Sequence, residues 1–107
     1  MQKQNQKKEF VPNKYRILEL LNKLPHSEYK IAIKRLPLAI GVNPLTFSDW
    51  RYIKNNEGRM IPADKLYLIA KFFNVTVEEM FTNPPESINY EQIKLDFQKE
   101  KEGGFNV

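Results

Sequence analysis

Residues 40–50 read IGVNPLTFSDW, and the parsing of this stretch decides the fold. Gly41 closes an apolar series, because a residue without a Cβ reaches the left-handed backbone angles that end a helix. Asn43 followed by Pro44 opens the next helix: asparagine caps free backbone amides, and proline is tolerated at the first helical position, where its missing N–H is not needed. Phe47, Trp50 and Ile53 then face inward at helical spacing. Two helices therefore meet at a sharp corner.

Upstream of the corner, Ser27 offers an N-cap and Tyr29, Ile31, Ile33, Leu36, Leu38 and Ile40 form the apolar series that Gly41 ends. Pro37 lies inside it. An interior proline costs about 3 kcal/mol, so the sequence predicts a kink or two short helices meeting near Leu36. Earlier still, Asn13 can cap a first amphipathic helix over 14–24, with Ile17, Leu18, Leu20, Leu21 and Leu24 as its stripe and Pro25 as its stop. Residues 1–12 read as a flexible basic arm, rich in Gln, Lys and Asn.

Downstream, KNNEGRM is a loop by composition. Pro62 opens a further helix, with Asp64 in its first turn, Leu66, Ile69, Ala70 and Phe73 as its buried stripe, and Asn74 at its end. Thr76-Val77-Glu78-Glu79 is a capping box, and Val75 and Met80 occupy the positions of a hydrophobic staple, which specifies a short helix over 77–81. After the linker TNPPES, residues 88–99 fit a helix through Tyr90, Ile93 and Phe97, or a strand through Ile93, Leu95 and Phe97. The abundance of Glu, Gln, Lys and Leu favours the helix.

The expected fold class is all-α: a compact bundle of about five helices over 13–82, followed by a linker and C-terminal extension over 83–107. At 107 residues the chain fits one small domain. It contains no cysteine, which excludes disulfides, zinc-thiolate sites and thiol nucleophiles and suits a reducing cytosol. No apolar stretch approaches the roughly 18 residues that span a bilayer, so a cytoplasmic location without membrane contact is expected. The net charge of +4 is uneven, with +7 on residues 1–59 and −3 on residues 60–107. Such an asymmetry is what a polyanion-binding surface produces.

The order of elements, with LPLAIGVNPLTFSDW at the corner and IPADKLYLIAKFFNVTVEEMF after it, resembles the Cro/repressor (Xre-like) helix-turn-helix family over roughly residues 33–81. The resemblance implies that the helix after the corner enters the major groove of double-stranded DNA while the helix before it crosses the phosphate backbone. Base-proximal positions would then be Asn43, Pro44, Leu45, Thr46, Ser48 and Asp49. Phosphate contacts would fall to Lys34 and Arg35, with Lys30 one turn earlier, and to Arg51, Lys54, Asn55 and Arg59. Family members often act as dimers on two-fold sites, so a homodimer is a further expectation.

The reading positions depart from the family pattern. Arg, Lys, Gln and Asn make the common bidentate contacts to bases, whereas Pro44 has nothing to donate and Leu45 offers only an apolar contact with a thymine methyl. Asp49 could accept from cytosine but repels phosphate. The segment HSEYKIAIKRLP also lengthens the approach to the corner, and Pro37 stands where the family keeps a helix former. Beside the first function, a small DNA-binding transcriptional regulator resembling phage-type repressors, stands a second: a protein-interaction module that keeps the scaffold without reading bases, with residues 88–99 as a docking or dimerisation element.

Other chemistry finds little support. His26 is the single histidine, so no metal site of ordinary spacing assembles. No paired nucleophile and base, Gly-rich phosphate loop or carboxylate pair outside exposed helix ends is present, so neither an enzyme nor a cofactor is expected. Phe47, Trp50, Phe72 and Phe73 lie on inward stripes and read as core. The basic residues Lys3, Lys7, Lys8, Lys14 and Arg16 could form an arm reaching along a groove, although a solvated tail is the commoner role of such runs.

Overall fold

The computed structural model describes residues 10–102 of the chain. Around the corner, helix α2 (His26–Ala39) ends and helix α3 (Pro44–Trp50) begins as the local signals require. Gly41 adopts φ 75°, and the Val42 and Gly41 amides donate back to the carbonyls of Pro37 (2.8 Å) and Leu38 (3.1 Å). This is the paired closure of a Schellman turn. Asn43 Oδ1 accepts from the Leu45 amide at 2.7 Å, which completes the start of α3. Replacing Gly41 by Ala should cost about 1 kcal/mol, through the left-handed backbone angle and not through crowding, since an added Cβ would meet only the flexible Lys65 ammonium at 3.5 Å. Urea denaturation of the variant measures this directly.

Among the described residues there are five α-helices and no strand longer than an isolated bridge. Helix α1 (Ile17–Asn22) packs on α2, and α2 packs on α3. Helix α4 (Ala63–Phe73) packs on a single 3-10 turn, Glu78–Met80. Asn74 closes α4 at φ 60°, with the Val75 amide donating to Ala70 and the Asn74 amide to Lys71. The capping box forms in both directions: the Glu79 amide donates to Thr76 Oγ1 (3.1 Å) and the Thr76 amide to Glu79 Oε1 (2.8 Å). The segment it opens is shorter than the expected helix over 77–81.

Helix α2 runs through Pro37 without dividing. Pro37 sits in the last turn, so a single amide donor is lost near an end that the Schellman turn already secures, and its ring is fully buried. Burial of Leu36, Pro37 and Ile40 offsets the cost. Ile31 and Leu38, counted in the apolar series, are instead exposed on α2, and Phe72 is about half exposed on α4.

The first helix is shorter than expected because residues 12–16 are recruited into an extended strap. On one side the Asn55 amide donates to Pro12 O and the Lys14 amide to Ile53 O; on the other, the Arg16 amide donates to Met80 O and the Thr82 amide to Lys14 O. These tertiary bonds satisfy the backbone groups that a helix from residue 14 would have paired locally. Asn13 accordingly bridges to Lys54 and does not cap α1. Tyr15 drops into the core, where its hydroxyl accepts from the Ile61 amide at 3.0 Å.

The core gathers Tyr15, Ile17, Leu21, Ala32, Leu36, Phe47, Ile53, Ile69 and Met80 from every element up to residue 80. Beyond it, the chain from Tyr90 forms helix α5 (Tyr90–Glu102), with the Gln92 amide donating to Asn89 Oδ1 at its start. The alternating pattern of residues 93–98 finds no neighbouring edge to pair with. A helix, which satisfies its own backbone, is therefore the stable form.

Candidate nucleic-acid interface

Helix α2 and the end of α3 enclose an open hollow of about 570 Å³, lined by Tyr29, Lys30, Ile31, Ile33, Lys34, Arg35 and Arg51. Lys30 and Lys34 are one turn apart on α2, so their side chains rise from the same face. Arg51 arrives from the turn that follows α3. Its Nη2 donates to Ser48 Oγ at 2.9 Å, and its guanidinium lies 5.8 Å from the Phe47 ring centroid and 5.9 Å from that of Tyr52. Arg51 Nε is buried and has no hydrogen-bond partner among the described residues.

Four cationic side chains thus surround one apolar floor. None of them is among the ion pairs of the described residues, whose cations are Arg16, Lys23, Arg59 and Lys94. Uncompensated like charges held together repel one another, and an anion seated among them relieves that repulsion. Planar guanidinium groups add directional donors suited to phosphate oxygens.

The remaining predicted phosphate residues form a different group. Arg59 is clamped by two carboxylates: Glu57 Oε1 at 2.8 Å and Asp49 Oδ2. Both hold the guanidinium protonated more firmly than usual, with Glu57 the larger influence. Lys54 Nζ donates to Asn13 Oδ1 at 3.1 Å, and the Asn55 amide is used by Pro12 O. Lys54, Asn55 and Arg59 therefore brace the loop against the strap. Only Arg51 of that set faces the hollow with Lys34 and Arg35.

The clamp has a pH signature. Glu57 is held below the ordinary carboxylate range, first by the Lys54 amide, which donates to its Oε2 at 2.9 Å, and then by Arg59. A carboxylate with a lowered folded-state pKa stabilises at all pH values above its unfolded pKa and loses that contribution as pH falls through the lowered value. An NMR pH titration followed at the Lys54 amide should give a midpoint below that of an unperturbed glutamate.

At the amino end of α3 the base-proximal positions divide in the same way. Asn43 spends its oxygen on the cap, Ser48 Oγ accepts from Arg51, and Asp49 is paired with Arg59. Pro44, Leu45 and Thr46 remain exposed, with Leu45 at 80 %. Pro44 and Leu45 thus make the tip of α3 apolar, and the carboxylate that would have repelled a phosphate is paired with Arg59.

Two of the expected arm residues are held against the folded domain, Lys14 inside it and Arg16 at its surface. Lys14 is buried with its ammonium against backbone carbonyls, and Arg16 pairs with Glu19 at 2.9 Å. Lys3, Lys7 and Lys8 lie outside the described residues. Among the described residues no group of His, Cys, Asp and Glu could hold a metal ion, and no helix is long and apolar enough to cross a membrane. Comparison of the chain with protein-family models, with curated proteins and with solved structures gives no match.

Proposed function

We propose that this chain is a small DNA-binding transcriptional regulator that docks a helix-turn-helix, formed by α2 and α3, on double-stranded DNA, in the manner of the Cro/repressor family it resembles. The observation that carries the reading is the convergence of Lys30, Lys34, Arg35 and Arg51 on one hollow, without a carboxylate partner among the described residues. Phosphate contacts from such a cluster position a protein on the duplex and supply most of its sequence-independent affinity. The exposed Leu45 and Thr46 then meet the groove with an apolar contact suited to thymine methyls. Base reading by hydrogen bonds is weak in this arrangement, because Asn43, Ser48 and Asp49 are engaged within the protein.

The test is fluorescence anisotropy of a labelled random-sequence duplex titrated with the full chain at several salt concentrations. Three or four phosphate contacts give a slope of log K against log salt of about −3 to −4. Absence of binding at low salt would reject the reading.

A protein-interaction module on the same scaffold is favoured by one observation, the apolar tip of Pro44 and Leu45. Replacing Leu45 by Lys separates the two: duplex affinity is maintained or rises under the first reading, whereas an apolar protein partner would be lost under the second.

A further inference from the structure

The hollow that gathers the four cations has a floor that a phosphate does not use. Tyr29 and Ile33 are half-buried against the core, and Ile31, 60 % exposed, lines the same hollow. Covering apolar surface is favourable roughly in proportion to its area, and a phosphate covers none of it. A volume of about 570 Å³ lies within the range of small-molecule sites, which join mostly apolar walls to a few charged groups.

Arg51 is the part of the site that the fold holds ready. Its guanidinium is steadied by Ser48 Oγ at 2.9 Å and lies against the rings of Phe47 and Tyr52, so it loses little rotamer freedom on meeting a ligand. Its buried Nε is a donor that the described residues leave unused. Lys30 and Lys34 add charge from α2 one turn apart.

We propose that this hollow is a binding site for a planar aromatic carboxylate, its ring system laid on Tyr29, Ile31 and Ile33 and its carboxylate set among Arg51, Lys34 and Lys30. A carboxylate matches the guanidinium fork. The ligand's ring gains an aromatic contact with Tyr29 and attracts the basic side chains to its face. A rigid ring system suits an open hollow better than an acyl chain, because no chain rotamers are frozen on binding. A nucleobase fits less well, since the apolar floor would leave its polar edges unpaired.

Occupancy of the site by such an acid also regulates it. Lys30, Lys34, Arg35 and Arg51 are the proposed phosphate contacts, so an acid seated among them competes with the duplex. This competition rests on the DNA reading; the binding of the acid does not.

Titration of the isotope-labelled full chain with 2-naphthoate, followed through its amide chemical shifts, tests the site. The expected result is a saturable shift concentrated at Tyr29–Arg35 and Arg51, with a dissociation constant on the order of 0.1–1 mM for a ligand of this size. Neutral 2-naphthamide should bind at least about fivefold more weakly, for want of the charge. Ile31→Gln, at an exposed position, should weaken 2-naphthoate about fivefold and leave duplex affinity within about twofold. Inorganic phosphate that matches the shifts and affinity of 2-naphthoate overturns the inference, as do shifts spread over the exposed apolar residues of α4 and α5. At constant ionic strength, 2-naphthoate at about ten times its dissociation constant should lower duplex affinity about tenfold. Saturation of the hollow without displacement of a bound duplex overturns the competition. A chain that binds 2-naphthoate at the hollow but no duplex at low salt upholds the acid site and rejects the DNA reading and the competition that rests on it.

Discussion

Changing Lys34 and Arg35 together to Glu is expected to lower affinity for a random duplex by about two powers of ten at 0.1 M salt and to reduce the salt slope by about 2. Each phosphate neutralised releases close to one counterion, so each contact contributes about 0.9 log units at that concentration. Both residues are exposed on α2 and their side chains make no hydrogen bond or ion pair among the described residues, so the variant should keep its stability. The matched control is Lys23→Glu with Lys71→Glu, which alters net charge by the same amount on residues that do not line the hollow. The control should lose no more than about threefold, since neither residue lines the hollow and salt screens exposed charges over a Debye length of about 10 Å. Equal losses in both variants would assign the binding to net charge alone. Full retention by Lys34→Glu/Arg35→Glu would remove the hollow from the interface.

Arg59 makes a less obvious target than the sequence suggests, because its charge is already committed. It is shared between Asp49 on α3 and Glu57 in the loop. Removing it would expose Asp49 to the phosphates and loosen the loop at once, so a loss of DNA binding in an Arg59 variant would not identify a contact. Lys34 and Arg35 carry no such ambiguity.

What could be read from the sequence was whatever neighbouring residues decide among themselves. The Gly41 closure, the Asn43–Pro44 start, the Asn74 end and the Thr76–Glu79 box are each settled within six residues, by backbone angles and short hydrogen bonds that the side chains specify on their own. The strap at 12–16 was not legible, because its hydrogen bonds go to residues about 40 and 65 positions away, and nothing near Asn13 announces them. Pro37 misled for a related reason: its cost is local and visible, whereas the burial that offsets it depends on packing with distant elements. The candidate site was half legible. Lys34 and Arg35 were identifiable by position, but the grouping of Arg51 with them, and of Arg59 with Asp49, follows from how α2, α3 and the loop meet in space.

Lys14 is the residue whose role changes most between sequence and structure, and replacing it by Met should cost about 3 kcal/mol. Its side chain is only 8 % exposed, and its ammonium donates to the carbonyls of Glu57 at 2.6 Å and Arg59 at 2.8 Å, with Met60 Sδ at 3.5 Å. Hydrogen bonds to a charged group contribute about 1.5–3 kcal/mol each, and the part-buried carbonyls left without a donor add some desolvation cost. Methionine keeps most of the stem and its packing, so the loss reports the polar contacts. For a domain of this size the melting temperature should fall by about 12–20 °C. The loss should also be local in origin: amide exchange should quicken first between Lys54 and Ile61, the loop that Lys14 draws onto the strap. A change under about 1 kcal/mol would mean that water replaces the ammonium at both carbonyls without penalty. The loop would then be held by the Glu57–Arg59–Asp49 clamp alone, and its stability would follow the titration of Glu57 instead of the presence of Lys14.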